Sequence, residues 1–118
     1  MVIDDSRVMS RYLRRVLEGT HTVEEWLPLS AMEVAERVQA SAPDLILTDY
    51  LMPGCSGATI ARMVAKAKPG LPVIVLTSYR DDDVAATLRK FKVADILYKP
   101  VSGEEILDAV GRALQASA

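Results

Sequence analysis

Short apolar runs alternate along the chain with longer stretches in which apolar residues recur every three to four positions. The short runs are rich in leucine and β-branched residues and have the length of strands, whereas the longer stretches have the period of amphipathic helices. The pattern therefore predicts five βα units in succession. The predicted strands are residues 2–3, 23–27, 45–48, 73–76 and 96–98.

The composition of these runs predicts how the strands are arranged. Runs such as LIL at 45–47 and VIVL at 73–76 have no polar face, which is typical of parallel strands covered by helices on both sides. The run VEEWL at 23–27 contains two adjacent charges, so we place it at an edge of the sheet. Five βα units with right-handed crossovers predict an α/β fold with a doubly wound, five-stranded parallel sheet and helices on both faces.

Capping signals predict where the helices begin. Helix one is expected to run from a cap at Asp5 or Ser6 to a stop at Gly19, helix three over 56–67 and helix four over 81–92. A serine followed three residues later by a glutamate, the spacing of a capping box, predicts the starts of helices two and five. These pairs are Ser30 with Glu33 and Ser102 with Glu105.

Length, charge and cysteine content narrow the class of protein. The 118 residues, half of them apolar, match one domain over residues 1–118. Strand one begins very close to Met1, and the sequence leaves open whether this strand has further residues upstream. A net charge of -2 gives no basis for nucleic-acid binding. The single cysteine, Cys55, is typical of a reducing compartment, so we expect a cytoplasmic protein. No apolar run approaches the ~20 residues that span a bilayer, which predicts no membrane contact.

Polar residues follow four of the predicted strands. The carboxyl ends of parallel strands meet at one edge of a doubly wound sheet, where such folds hold their sites. A single polar strand end is often only a turn, so it is the combination that indicates a site. The residues are Asp4 and Asp5 after strand one, Asp49 after strand three, Thr77 and Ser78 after strand four, and Lys99 and Pro100 after strand five.

Three carboxylates at one edge need a compensating charge. Two like charges ~4 Å apart repel by ~4 kcal/mol at the effective dielectric of a protein surface, so the carboxylates should take up protons or bind a cation. Mg²⁺ accepts carboxylate ligands and leaves positions for phosphate oxygens. With Lys99 as a second cation and Thr77 as a hydroxyl donor, the set suits transfer of a phosphoryl group onto Asp49. This use explains why the apolar run LILTDYLMPG at 45–54 contains a carboxylate and breaks at Met52, Pro53 and Gly54.

Four motifs together identify a resemblance to a known family. They are VIDDS at 2–6, LILTDYLMPGCSG at 45–57, VIVLTS at 73–78 and LYKP at 97–100. In order and separation they resemble the receiver domain of two-component response regulators, the CheY-like (flavodoxin-like) fold with strand order 2-1-3-4-5. The resemblance covers essentially the whole chain.

The resemblance implies a Mg²⁺ site. In such a site Asp5 and Asp49 bind the ion through their side chains, the backbone carbonyl of Leu51 is the third protein ligand, and Asp4 acts through a metal-bound water. Asp49 is then the phosphoacceptor.

The resemblance also implies roles for other residues and partners. Lys99 pairs first with Asp49 and then with the phosphoryl group, which Thr77 hydrogen-bonds; the Lys99–Pro100 bond is cis, and Gly57 fits the family's MPxxxG spacing. The implied phosphodonor is a phosphohistidine on a sensor histidine kinase or a histidine phosphotransfer protein. The implied output is a downstream protein or a fused domain, with a homodimer through helix 4, strand 5 and helix 5 as an option.

Three positions depart from the family pattern. Ile96 stands three residues before the lysine, where receivers usually have an aromatic residue that switches with Thr77. Leu51 and Tyr79, two residues after Asp49 and Thr77, are neither acids nor amides and do not orient an attacking water. We therefore predict a long-lived acyl phosphate.

Alternative readings concern both the function and two smaller features. A module of the same fold could act through contacts without phosphorylation, and a phosphatase with an aspartyl nucleophile is disfavoured because Leu51 stands where its general acid would be.

The run RDDD at 80–83 is either a second metal site or, as we favour, a helix start whose acids complement the dipole. Cys55 is best explained as a small filler residue beside the site.

Overall fold

The computed structural model describes residues 1–27, 30–52 and 55–117, so the predicted break at Pro53 and Gly54 lies outside the described residues. Five helices and a five-stranded parallel sheet form the fold. The strands are β1 Val2–Ile3, β2 Glu25–Trp26, β3 Ile46–Asp49, β4 Val73–Thr77 and β5 Asp95–Tyr98. The helices are α1 Arg7–Leu17, α2 Val34–Ser41, α3 Gly57–Ala67, α4 Asp82–Lys90 and α5 Gly103–Ser117.

The strand order is β2-β1-β3-β4-β5, all parallel, which confirms the predicted 2-1-3-4-5 topology. The sheet has a separate apolar core on each face. Val2 packs in the core covered by α1 and α5, and its neighbour Ile3 packs in the core covered by α2, α3 and α4. This alternation along a fully buried strand confirms that helices cover both faces.

The second strand lies at the edge of the sheet, as its charges predicted, but it is shorter than the predicted 23–27. Within this range, Glu25 and Trp26 pair in register with Val2 and Ile3 of β1. The preceding residue, Glu24, contacts both elements: its backbone carbonyl accepts the Val2 N–H of β1 at 2.7 Å, and its carboxylate lies 2.6 Å from the Arg37 guanidinium of α2.

The helix starts follow the predicted caps in four of five cases. The side chains of Ser6, Ser56 and Asp81 accept backbone N–H bonds at the starts of α1, α3 and α4, and Ser102 Oγ accepts the Glu105 N–H at 3.1 Å.

The second helix differs from the prediction. A single 3-10 turn, Ala31–Glu33, precedes it, and the α-helix begins at Val34. Glu33 Oε2 accepts the Ser30 N–H at 2.9 Å, which is one half of the predicted capping box. At the end of α1, Gly19 does not take a left-handed φ, which among the described glycines occurs at Gly70. The helix nevertheless ends at Leu17 with Glu18 as its C-cap, so the predicted stop at Gly19 is confirmed without a left-handed glycine.

A short antiparallel hairpin follows β3. Leu51–Met52 pairs with Cys55–Ser56, so Met52 does not break the chain as predicted but lies in the core with 5% exposure. Met52 packs in the core on the α3 side of the sheet.

No helix in the described ranges combines the length and the apolar character needed to cross a membrane.

Candidate functional site

Three carboxylates converge at the carboxyl end of the sheet. Asp4 and Asp5 follow β1, and Asp49 is the last residue of β3; one carboxylate oxygen of each lies within 4.8 Å of the others. The two strands are neighbours in register, with Ile3 opposite Thr48, so their ends coincide. We call Asp4, Asp5 and Asp49 the acid cluster. Asp4 is buried, the Asp49 side chain is 12% exposed, and Asp5 is open to solvent.

Asp4 is the most constrained member of the acid cluster. Its Oδ1 accepts the Ser6 N–H at 2.8 Å, but its buried Oδ2 has no hydrogen-bond partner among the described residues. Burial raises the pKa of Asp4, and the nearby charges of Asp49 and Asp5 raise it further, against the opposing effects of the Ser6 hydrogen bond and of Lys99. A buried, unpartnered carboxylate oxygen is costly, so the site favours a cation or a proton at this position.

Lys99 compensates only part of this charge. Its Nζ lies 2.9 Å from Asp49 Oδ1, and that oxygen also accepts the backbone N–H of Tyr50 at 3.0 Å. The Lys99 backbone N–H donates to the Thr77 carbonyl at 2.9 Å, which fixes the lysine relative to β4, and the Lys99–Pro100 bond is cis. One ammonium beside three carboxylates leaves the site with excess negative charge.

Thr77 ends β4 one position beyond Leu76, the register partner of Asp49. Its side chain is buried, and Oγ1 accepts the backbone N–H of Tyr79 at 3.0 Å. A hydroxyl that accepts one bond still has its hydrogen to donate. Thr77 can therefore offer a hydrogen bond to an oxygen bound near Asp49.

Gly57 allows the chain after Asp49 to fold back against α3. A Cβ at this position would lie 2.9 Å from Tyr50 Cα and 3.1 Å from the Asp49 carbonyl oxygen, and the Gly57 N–H donates to the Tyr50 carbonyl at 2.6 Å. Only glycine fits this close approach of backbones. The residue thus supports the position of Asp49 without contacting its carboxylate.

The structure brings Asp4, Asp5, Asp49 and Lys99 together and places Thr77 at the end of the adjacent strand. Leu51 is 58% exposed in the hairpin that follows Asp49.

The other predicted residues lie outside this set. Ile96 is half-buried in the core on the α4 side, and Cys55 is buried, with its thiol pKa raised by burial, which agrees with a filler role. Asp81 caps α4, as the helix-start reading of RDDD predicted.

Sequence reasoning missed two contacts around the site. The first is the Tyr50 N–H on Asp49, a backbone donor that no residue type reveals. The second is the Tyr12 hydroxyl, which donates to the Val101 carbonyl at 3.0 Å and ties α1 to the segment after Lys99. Tyr12 lies at an apolar-periodic position of α1, and nothing in the spacing indicates the contact of its hydroxyl.

The acid cluster fits a hard divalent cation. Its donors are carboxylate oxygens, the ligands that Mg²⁺ prefers, and the unpartnered Asp4 Oδ2 shows a buried acceptor that the described protein groups do not satisfy. An exposed member, Asp5, leaves one side of the cluster open to water and to a ligand. The arrangement can hold a cation next to a carboxylate that a lysine already contacts.

A doubly wound parallel sheet with an acid cluster, a lysine and a threonine at its carboxyl end is the arrangement of a receiver-type signalling domain. Residues 1–111 match the family model of the response regulator receiver domain, and the chain belongs to this family.

Relatives and solved structures agree with this assignment. The DNA-binding transcriptional regulator NtrC of Escherichia coli K12 is 33% identical over 116 residues, which are 96% of this chain and 24% of NtrC. The hybrid signal transduction histidine kinase D of Dictyostelium discoideum is 29% identical over 93% of this chain and 7% of the kinase. The response regulator receiver domain protein from Clostridium thermocellum superposes with a TM-score of 0.83 at 29% identity, covering 98% of this chain and 92% of that one. The chain thus spans about a quarter of the length of its NtrC relatives.

Proposed function

We propose that this receiver is a switch controlled by phosphorylation of Asp49. The phosphodonor is a phosphohistidine on a sensor histidine kinase or a histidine phosphotransfer protein, and the reaction depends on Mg²⁺. The observation that carries the proposal is the position of the Asp49 carboxylate, within 4.8 Å of two other carboxylates and 2.9 Å from the Lys99 ammonium. A structural ion pair alone would not need the other two acids.

The residues that would hold Mg²⁺ are those of the acid cluster and its neighbour in the hairpin. Asp5 and Asp49 would bind the ion through their side chains, Leu51 through its backbone carbonyl, and Asp4 through a metal-bound water. The ion, when bound, neutralises the charge that would otherwise separate the acceptor carboxylate from the phosphoryl oxygens.

The chain's own residues perform the rest of the transfer. An Asp49 carboxylate oxygen forms a bond to phosphorus while the P–N bond of the phosphohistidine breaks, and the released imidazole nitrogen takes up a proton. Lys99 moves from Asp49 to the phosphoryl oxygens, and Thr77 donates its hydroxyl hydrogen to the same group. The protein therefore catalyses only its own phosphorylation and dephosphorylation and is not a turnover enzyme.

The product is expected to be long-lived. Two residues beyond Asp49 and Thr77 stand Leu51 and Tyr79, which are 58% and 48% exposed as residues, and the side chain of neither can act as a base toward an attacking water. The aspartyl phosphate should persist for minutes after the donor is removed, and a half-life of seconds would contradict this expectation.

The proposal extends to partners and location. Residues 1–118 act as one receiver domain in the cytoplasm, without contacting nucleic acid or a membrane themselves. Phosphorylation changes the surface of α4, β5 and α5, which contacts a downstream protein, a fused output domain or a second copy of the chain. NtrC, a DNA-binding regulator of which such a domain is about a quarter, illustrates the fused arrangement.

One observation favours a second candidate function. Ile96 occupies the position of the usual switching aromatic residue and is half-buried in the core. A module that works through contacts alone, without phosphorylation, needs no aromatic switch. Such a module also needs no acid cluster, and it would bind its partner equally well with or without Mg²⁺ and phosphodonor.

The test is to load the full chain with a small phosphodonor, phosphoramidate, and to follow its intact mass. We expect one added phosphoryl group in the parent with Mg²⁺, none in Asp49→Asn, and normal addition in Asp82→Asn, a matched exposed aspartate outside the site. Phosphorylation of Asp49→Asn to the extent of the parent would refute the assignment of the acceptor. No addition to a folded parent protein would favour the contact module.

A further inference from the structure

A continuous set of contacts connects the buried hydroxyl of Thr77 with the ring of Tyr98. Thr77 Oγ1 accepts the backbone N–H of Tyr79 at 3.0 Å. The next residue, Arg80, places its guanidinium carbon 4.7 Å from the centroid of the Tyr98 ring. Thr77 and Tyr98 are register partners in the β4–β5 pair. The loop at 78–80 therefore contacts the end of β4 through Thr77 and the end of β5 through Tyr98.

Tyr98 lies on the same face of the sheet as Ile96. Side chains alternate along a strand, so residues two apart share a face. Ile96 packs in the core covered by α2, α3 and α4, whereas Leu97 packs in the opposite core. Tyr98 is thus the aromatic residue of β5 on the α4 side, two positions nearer the carboxyl end than Ile96.

Once Asp49 is phosphorylated, the Thr77 hydroxyl has two possible hydrogen-bond partners, the Tyr79 N–H and the phosphoryl group. Its oxygen now holds the Tyr79 N–H, and its hydrogen would be drawn to the phosphoryl group. In the switch inferred below, the Thr77 side chain turns about its Cα–Cβ bond toward that group, and this turn carries the oxygen away from the Tyr79 N–H. Tyr79 is 48% exposed, so water can satisfy the released N–H and the loop is free to move.

A second contact connects the same loop to the residue that follows Asp49. The rings of Tyr50 and Tyr79 meet edge to face, with centroids 6.2 Å apart and an interplanar angle of 71°. Tyr50 directly follows Asp49, and its N–H contacts the Asp49 carboxylate. The loop at 78–80 is therefore held from both strands that flank the phosphoryl group.

We propose that Tyr98, held by Arg80, reports the phosphorylation state of Asp49 in place of an aromatic residue at position 96. In the unmodified protein the Arg80 guanidinium holds the Tyr98 ring. When Thr77 turns to the phosphoryl group, the loop at 78–80 moves, the contact between Arg80 and Tyr98 breaks, and the ring changes its environment. This inference rests on the function proposed above.

The experiment uses the full chain with its four tyrosines replaced by meta-fluorotyrosine and observed by fluorine NMR. The resonances are assigned with single Tyr→Phe variants, and Mg²⁺ and phosphoramidate load the protein while its intact mass is monitored. We expect the Tyr98 resonance to shift on phosphorylation and the Tyr12 resonance, from the opposite face of the sheet, to shift least. In unmodified Arg80→Ala, the Tyr98 resonance should already lie near its phosphorylated position, and Arg89→Ala, at an exposed arginine of α4, should leave it in place.

Two Thr77 variants distinguish a switch from a passive contact. Thr77→Ala, loaded to the same mass, should keep the unmodified Tyr98 resonance, and Thr77→Ser, which retains the hydroxyl, should restore the shift. A parent that gains the phosphoryl mass without a Tyr98 shift, or a Thr77→Ala variant that shifts like the parent, would overturn this inference alone. A parent that gains no mass would overturn the proposed function and this inference with it.

Discussion

The molecule contains two groups of three aspartates, and they differ in almost every physical property. The acid cluster comes from the ends of two strands, is partly buried, and leaves the Asp4 Oδ2 oxygen unpartnered among the described groups. Residues 81–83 are consecutive and exposed, and Asp81 Oδ1 accepts the N–H groups of Asp83 and Val84 at 2.8 and 3.3 Å. The aspartates at 81–83 are consecutive in sequence, yet they form the start of α4, with Asp81 as its N-cap. Convergence and burial, rather than the density of acids along the chain, distinguish a binding site.

The largest expected difference between the two groups is in Mg²⁺ affinity. Asp5→Asn removes a carboxylate from the acid cluster and should weaken Mg²⁺ binding at least about 10-fold, the loss typical even of partners outside the first coordination sphere. Asp82→Asn, the matched variant at 81–83, should leave the affinity unchanged. Isothermal titration of both proteins measures this, and equal affinities would show that the acid cluster is not the cation site.

The second difference is that the acid cluster depends on a close packing of distant segments at Gly57, whereas residues 81–83 need only the start of their own helix. Gly57→Ala puts a Cβ 2.9 Å from Tyr50 Cα and should lower the free energy of unfolding by about 1–3 kcal/mol while also weakening Mg²⁺ binding. The matched variant Gly111→Ala lies within α5, where the added Cβ has no atom within 4 Å apart from its chain neighbours and its own helix backbone, and should raise stability by about 0.5–1 kcal/mol. Urea unfolding of both variants checks the signs, and a loss of stability in both would refute the crowding argument at Gly57.

The third prediction uses the raised pKa of Asp4. A carboxyl group whose folded pKa is raised, here mainly by burial, favours folding most at pH values below its unfolded pKa and loses that contribution as pH rises through the folded pKa. Asp4→Asn, which cannot ionise, should therefore raise stability without divalent cations at neutral pH by about 1 kcal/mol.

The pH dependence is the check on this prediction. The advantage of Asp4→Asn over the parent should disappear as pH falls toward about 4, the ordinary range of an aspartate. Saturating Mg²⁺ should also reduce it, because the ion stabilises the parent. Thermal unfolding from acidic to neutral pH measures the difference, and a less stable variant at neutral pH would mean that the Asp4 charge is already well compensated.

The smallest expected effect belongs to the exposed acids. Asp81→Ala removes the cap of α4 and should lower the free energy of unfolding by about 0.5–1 kcal/mol, with no change in Mg²⁺ affinity. Asp82→Ala, in the first turn but without the cap bonds, should cost less. Loss of Mg²⁺ binding in Asp81→Ala would contradict the assignment of residues 81–83 to helix capping.

Much of this architecture follows from the sequence because its determinants are local. The continuous apolar runs of β3 and β4 predicted buried parallel strands, and the paired charges in the run at 23–27 predicted an edge strand. The same topology predicts that Asp49, Thr77 and Lys99 lie at one end of the sheet. These inferences need only the period of the pattern and the handedness of βα units.

The remaining features depend on contacts between distant segments. The bounds of β2 depend on its pairing with β1, which its own residues do not reveal. The 3-10 turn before α2 is compatible with the same capping residues that predicted an α-helical start. The Tyr50 N–H on Asp49 and the Arg80 contact with Tyr98 involve a backbone group and an exposed side chain, neither of which has a periodic signal. Their positions are defined only once the strands are paired.

A cation in the acid cluster is expected to prepare Asp49 for phosphorylation. The most direct measurement combines the Mg²⁺ dissociation constant from isothermal titration with the Mg²⁺ concentration that gives half the maximal rate of phosphorylation by subsaturating phosphoramidate. We predict one binding site and equal values for the two quantities, with both titrations altered in parallel by Asp5→Asn. Phosphorylation of Asp49 at the same rate in the presence of a chelator would show that no cation is needed.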